Sequence, residues 1–135
     1  MTHPERVEDY LEHIAQAIAR ATGYLQHTEN LAAFEEAPLY QDAVLRNMEI
    51  IGEAATKIHK AAPDFTARHP EIPWVKMREM RNLLIHEYFF VNLEIVWSTV
   101  KNDLPPLHEQ IQAVLIPRRQ EQEEQNQEQG QGMSR

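Results

Sequence analysis

The stretch from Val7 to Leu25, VEDYLEHIAQAIARATGYL, decides the fold class. Its apolar residues recur at steps of three and four, which is the period of an amphipathic α-helix. Pro4 is a residue type favoured in the first helical turn, so the pattern predicts a helix from about Pro4 to Gln26. The apolar positions are Val7, Leu11, Ile14, Ile18, Ala21 and Leu25.

The same period continues along the chain and predicts four main helices. Proline or asparagine marks where most of them begin, and a proline pair should kink or break the last one. Because no segment resembles a strand and only 4 glycines occur, we predict an all-α, up-down bundle. The further helices are predicted over 31–36 (capped by Asn30), 38–60, 74–89 and from the cap Asn92 to Pro105-Pro106, with the apolar pattern resuming at Leu107.

Length and composition predict one helical domain with a polar tail. The 135 residues suffice for one hydrophobic core, which we assign to residues 1–117. Residues 118–135 are mostly Gln, Glu, Arg, Gly, Ser and Asn, so they cannot bury enough apolar surface to fold and should form a disordered tail. With no cysteine, no apolar run near the length of a membrane span and no signal-peptide pattern, the chain is expected in the cytoplasm.

Net charge limits the kind of nucleic-acid contact that the chain can make. At −8 the protein is unsuited to non-specific binding along a nucleic-acid groove, because phosphate neutralisation supplies most of that affinity. Residues 68–86 differ, with four cations against two glutamates. A small local phosphate site therefore remains open.

The octapeptide Arg81 to Tyr88, RNLLIHEY, contains most of the side chains that could bind a phosphate or transfer a proton. Arginine forks two hydrogen bonds onto a phosphate, and histidine exchanges protons near neutral pH. On a helix Arg81 and His86 lie about 140° apart, which suits a groove at an interface better than a pocket inside the bundle. Asn82 is four residues before His86 and is therefore its neighbour.

Structural interpretations compete with this one. His86 would be a half-buried, hydrogen-bonded residue, and Arg81 would pair with Glu87 or Glu53. A second polar line, formed by Arg46, Glu49 and Glu53 in the second helix, would consist of surface ion pairs or would orient Arg81 across the bundle. Trp74 and Trp97 are expected to be core anchors, and Tyr88 a packed aromatic residue with a polar hydroxyl.

Metal and cofactor sites are not predicted. The seven histidines show no metal-binding helical spacing, and the chain has neither a glycine-rich phosphate loop nor a nucleophile elbow. Gly52 lies inside the second helix, where glycine costs about 1 kcal/mol relative to alanine. Such a glycine often permits close approach of another backbone.

The octapeptide and its flanks resemble a known family. Arg-x4-His-x-Tyr, with Asn after the Arg, is similar to the motif of the HepT-like branch of the HEPN superfamily, toxins paired with minimal nucleotidyltransferase (MNT) antitoxins. The similarity covers roughly residues 5–116 and leaves out the tail. It includes the segments Arg46–Ala54 (RNMEIIGEA), Ile72-Pro73-Trp74, Val96-Trp97 and Asp103-Leu104-Pro105.

The resemblance implies a metal-independent endoribonuclease that works as a homodimer, with two motifs facing each other across the two-fold axis. Arg81 and His86 would be catalytic, with Asn82 in support. The substrate would be RNA, with tRNA as one candidate, and it would be cut by attack of its own 2′-hydroxyl. The resemblance also implies a type VII-like toxin–antitoxin system. Its antitoxin would transfer AMP onto Tyr88 and so block the groove. DNA lacks the 2′-hydroxyl and is not an expected substrate.

Two other functions stay open at this stage. The chain would be a non-catalytic helical module that partners a nucleotidyltransferase or binds a nucleotide, or it would be purely structural. In the last case Arg81, His86 and Tyr88 would affect stability alone.

Overall fold

Helices account for nearly all of the computed structural model. It describes residues 7–86 and 91–133, with the backbone alone at 82–86, 122 and 129–133. Within these ranges there is no strand, which confirms the all-α prediction. The helices are α1 (Val7–Gln26), α2 (Leu31–Glu35), α3 (Pro38–Ala61), α4 (Pro63–Arg68), α5 (Trp74–His86), α6 (Leu93–Ser98) and α7 (Leu104–Met133), with a π-helical turn at Thr99–Asp103 between the last two.

The core lies where α1 packs on α3 and α7. Every apolar position predicted for α1 is buried, and α3 buries Val44, Met48, Ile51 and Ile58. On its other side α3 packs against α5, so α3 links the core to the helix that carries the octapeptide. Leu11, Ile14, Phe34, Val44, Ile51, Ile58 and Ile111 are among the fully buried side chains.

Asparagine side chains cap two helices as the sequence predicts. The Asn30 Oδ1 atom accepts the Ala33 N–H at 2.9 Å at the start of α2. The Asn92 Oδ1 atom accepts the N–H groups of Glu94 and Ile95 at 3.0 and 3.2 Å at the start of α6. Both caps satisfy amide groups that a helix start otherwise leaves unpaired.

The segment between α3 and α5, where the sequence pattern predicts no helix, contains the short helix α4. Pro63 occupies its first turn, and its Phe65 and Thr66 are buried. Six residues are too few to show a helical period, which is why the sequence pattern missed it. Trp74 closes this region, because its indole N–H donates to the carbonyl oxygen of His69 at 3.0 Å.

The proline pair interrupts the α-helix without a loop. The regular helix ends at Ser98, and the chain continues through the π-helical turn, in which the Leu104 N–H donates to the carbonyl oxygen of Thr99. Pro105 and Pro106 then fall in the first turn of α7, where a missing N–H costs little. The predicted break is therefore a change of helix type.

Helix α7 continues past residue 117 to Met133. Arg118 pairs with Glu8 at 2.8 Å, and Arg119 pairs with Glu12, so two cations fasten this end to α1. Glutamine, glutamate and arginine are good helix formers, which accounts for helical backbone where composition predicts no packed core. Residues 120, 121 and 123–128 are exposed, and the placement of the domain boundary at 117 stays a prediction. No helix in the described ranges is both long and apolar enough to span a membrane.

Candidate active site on helix α5

Arg81 is held where α5 crosses Gly52 of α3. A methyl group added at Gly52 would collide with Cβ of Arg81 and would lie 2.8 Å from the carbonyl oxygen of Met77 and 3.1 Å from Cα of Arg81. All three atoms belong to α5. The close backbone approach predicted at this glycine is confirmed, and its partner is the turn of α5 that carries the candidate catalytic arginine.

The Arg81 side chain has no acidic partner in the described part of the chain. Its Nε atom is buried and makes no hydrogen bond there, although the residue as a whole is partly exposed. A guanidinium carries five N–H donors, and a buried donor left unpaired costs free energy. A water molecule, a bound anion or a residue outside the described ranges would supply the acceptor.

The second polar line behaves as the surface interpretation predicts. Arg46 lies 3.6 Å from Glu49, and Lys57 lies 3.9 Å from Glu53, in pairs that are largely exposed. No ion pair joins Arg81 to Glu49 or Glu53 among the residues that the structure describes. These carboxylates therefore leave the guanidinium of Arg81 free for another anion.

Around the axis of α5, buried and exposed positions separate clearly. Trp74 and Met77 are buried and lie within about 40° of Arg81, so this side faces α3 and the core. Position 86 is about 140° away, within about 20° of Val75 and Glu79. Val75 is 56% exposed and Glu79 is also exposed, so this side of α5 is open to solvent in the single chain.

The main cleft beside α5 lies on the opposite side of the helix from position 86. It encloses about 280 Å³ between α5, the π-helical turn and the start of α7. Lys76, Met77 and Met80 line it from α5. The exposed side of α5 that carries Val75 and Glu79 therefore lies away from this cleft.

The remaining candidate residues are placed only in part. Asn82 and His86 lie in the last turns of α5, and their side chains fall outside the described atoms. Tyr88 and Glu87 lie outside the described residues altogether, so the predicted pairing of Arg81 with Glu87 is also outside them. Their assigned roles stay predictions.

Arg78 is a further candidate residue, which the sequence shows only as one of the four cations in residues 68–86. It precedes Arg81 by three residues on α5, and its Nε atom is likewise buried without a hydrogen bond in the described ranges. The spacing of three in Arg78-x-x-Arg81 is the signal that places both on neighbouring helical turns.

Metal-binding geometry is absent from the part of the chain that the structure describes. No group of three or more His, Cys, Asp or Glu side chains comes close enough there to hold an ion. The cationic side chains described on α5 are Lys76, Arg78 and Arg81.

Comparison with known protein families identifies the one to which the chain belongs. The model of the family described as "Ribonuclease HepT-like" matches residues 8–114, which is most of the chain. The chain belongs to the HepT-like family. The match covers α1 to the first turns of α7 and leaves out the polar tail, in agreement with the resemblance seen in the sequence.

Two relatives align with nearly the whole domain of this HepT-like protein. One is a "Probable ribonuclease HepT" of Thermococcus cleftensis, 43% identical over 102 residues that cover 74% of this chain and 87% of the relative. Another, from Caldanaerobacter subterraneus subsp. tengcongensis, is named as an RNase whose activity is unproven. It is 37% identical over 110 residues, covering 78% of this chain and 91% of the relative. No solved structure matches the chain significantly.

Proposed function

We propose that this HepT-like protein is a metal-independent endoribonuclease of the cytoplasm and the toxin of a toxin–antitoxin pair. One observation carries the proposal. The arginine of the Arg-x4-His motif is fixed over Gly52 with a buried Nε that no described residue satisfies, on the helix that also carries His86. Membership of the HepT-like family and a relative named as a probable ribonuclease support RNA as the substrate class.

The proposed chemistry needs only side chains and the RNA itself. One His86 accepts the proton of a ribose 2′-hydroxyl as its oxygen attacks the adjacent phosphorus. Arg81 stabilises the negative charge that develops on the phosphate oxygens, and a second His86 protonates the departing 5′-oxygen. The products are a 2′,3′-cyclic phosphate and a 5′-hydroxyl. Asn82 supports the phosphate or the histidine, and DNA is not cut because it lacks the nucleophile.

A homodimer supplies the second histidine. Position 86 lies on the same side of α5 as the exposed residues Val75 and Glu79, so a two-fold partner has room to approach there. Sedimentation at micromolar concentration should give a dimer. A monomer that still cleaves RNA would contradict the composite site.

Control by an MNT-type nucleotidyltransferase antitoxin completes the proposal. AMP added to Tyr88, two residues beyond His86, would put a bulky anion at the RNA phosphate site. Expression of the chain alone should arrest growth, and mass spectrometry after co-expression with the antitoxin should find AMP on Tyr88. Full neutralisation with unmodified Tyr88 would refute modification as the switch and leave occlusion by the bound antitoxin.

Incubation with tRNA and total RNA in EDTA tests the ribonuclease activity. His86→Ala and Arg81→Ala should abolish cleavage, whereas His13→Ala, at an exposed position of α1, should leave it intact. If the wild-type protein cuts no better than His86→Ala, the catalytic proposal fails. RNA binding without cleavage, together with harmless expression, would favour the non-catalytic binding module.

A further inference from the structure

Arg78 presents the same unpaired chemistry as Arg81, one helical turn earlier. The Nε atoms of both side chains are buried without a hydrogen bond among the described residues, and neither guanidinium has an ion pair there. Both residues are partly exposed, while the Nε atom of each guanidinium is enclosed. Their packing holds two arginines in place without satisfying them.

The helical register places Arg78 between the two residues of the motif. Taking Arg81 as the reference, Arg78 lies about 60° around the axis and position 86 about 140°, in the same direction. Side chains three residues apart on a helix have their Cβ atoms about 5–6 Å apart, whereas position 86 is about 12 Å further along the axis than Arg78. The arc around α5 from Arg81 to position 86 therefore includes Arg78 and the exposed Val75.

Two neighbouring cations to which no described residue supplies a counter-ion are unfavourable for the folded chain. Like charges at this helical spacing repel, and each buried Nε atom has lost its water. The chain carries 21 acidic residues, yet none of those described forms an ion pair with Arg78 or Arg81. An arrangement that costs stability at a candidate active site indicates that an external anion completes it.

We propose that Arg78 binds the RNA phosphate adjacent to the one at which cleavage occurs. This inference rests on the proposed ribonuclease function and adds a substrate requirement to it. Arg81 takes the scissile phosphate, and Arg78, one helical turn further from His86 along the axis, takes its neighbour on the same strand. The substrate is then an RNA with at least two consecutive phosphates, and a dinucleotide leaves Arg78 empty.

Comparing substrates of different length tests this role. In Arg78→Gln the KM for a ten-nucleotide RNA should rise about tenfold, since one charged contact is lost, while kcat stays near the wild-type value. The kcat/KM for a dinucleotide with a single phosphodiester should not change. Arg68→Gln, which alters an exposed cation at the end of α4, is the matched control and should behave as wild type on both substrates.

The salt dependence of RNA binding is a second measurement, and it would not change if Arg78 had only a structural role. The slope of log affinity against log salt for a single-stranded RNA should become shallower by about 0.7 in Arg78→Gln, which is the release of one counter-ion. Arg78→Lys keeps the charge but not the fork, so it should retain the slope while binding more weakly. If Arg78→Gln does not fold, the Arg78→Lys variant provides the test by itself. An RNA affinity equal to that of the wild-type protein in Arg78→Lys would overturn the inference.

Binding of a 2′-O-methyl decanucleotide, which cannot be cleaved, separates this inference from the ribonuclease proposal. If the wild-type protein binds it but does not cut RNA, the proposed catalysis fails, while weaker binding by Arg78→Gln still supports the phosphate contact. Equal affinity and equal slope in Arg78→Gln and wild type would overturn the inference whether or not RNA is cut. An equal loss on dinucleotide and decanucleotide would also overturn it, since Arg78 would then act through the fold.

Discussion

Replacing Gly52 with alanine tests how the bundle positions Arg81. The added methyl group would stand 2.8 Å from the carbonyl oxygen of Met77, whereas ordinary contact begins near 3.4 Å. Helix α5 must therefore withdraw by about 0.6 Å at that carbonyl, and further at Cβ of Arg81, which the methyl would overlap. Neither atom can swing aside, because one is backbone and the other is fixed to it.

The expected cost to stability is moderate because two effects oppose each other. Overpacking costs about 1–3 kcal/mol, and alanine recovers about 1 kcal/mol through its higher helix propensity. The net loss in the free energy of unfolding should be about 0–2 kcal/mol. The expected loss of activity is larger, about 10²-fold in kcat/KM, since a displacement approaching 1 Å removes a charge-stabilising group from its working position.

Gly23 provides a matched control within the same chain. It also lies inside a helix, α1, but an added methyl group there meets nothing within 4 Å. Gly23→Ala should therefore gain about 0.5–1 kcal/mol in the free energy of unfolding and cleave RNA as wild type does. Urea denaturation followed by circular dichroism measures stability, and RNA cleavage in EDTA measures activity.

The result that refutes this reasoning is a Gly52→Ala protein that is stabilised like Gly23→Ala and remains fully active. Helix α5 would then not be held against α3 at Arg81. A loss of stability beyond about 4 kcal/mol would also contradict it, because overpacking at one methyl group should not unfold the bundle.

Three further outcomes test the scaffold. Asn92→Ala removes the cap that accepts the Glu94 and Ile95 amides and should lower the free energy of unfolding by about 1 kcal/mol in urea denaturation, whereas no change would mean that the cap is unimportant. The Arg119 guanidinium lowers the pKa of Glu12, so this pair stabilises the fold above the ordinary carboxyl pKa of 4.5 and the contribution disappears as pH falls through the lowered value. Glu12→Gln should therefore cost about 0.2–1 kcal/mol at pH 7 and progressively less as the pH falls below 4.5, and a difference that does not shrink on acidification would rule out the ion pair as its source. A chain stopped after Arg119 should unfold within about 0.5 kcal/mol of the full chain, since the described residues beyond it are exposed, and a larger loss would move the domain boundary past residue 117.

The long helices were predictable because each has an apolar stripe long enough to establish its period. The pattern places the ends of α3 at Pro38 and Lys60, within one residue of the observed Pro38–Ala61, and it identifies both asparagine caps. Helix α4 was missed because it is six residues long, and the π-helical turn was missed because proline signals a break without specifying its geometry.

The candidate site was predictable in its residues but not in its contacts. A glycine inside α3 indicates that some backbone comes close, yet only the packing of α3 on α5 identifies Arg81 as the neighbour. Arg78 differs, because its three-residue spacing from Arg81 is visible in the sequence. What distinguishes it from an exposed arginine such as Arg68 is a buried Nε atom without a hydrogen bond in the described structure, and that burial depends on tertiary packing.

Cleavage of a single synthetic RNA tests the central claim most directly. An oligonucleotide spanning a mapped cut site is incubated with the protein in EDTA, as all-ribose RNA and with one 2′-deoxy substitution on the 5′ side of the scissile phosphate. The account predicts that the all-ribose RNA yields a 2′,3′-cyclic phosphate and a 5′-hydroxyl, that the substituted RNA stays intact, and that His86→Ala loses about 10²–10⁴-fold in rate. Cleavage of the substituted RNA at that bond, or undiminished cleavage by His86→Ala, would contradict it.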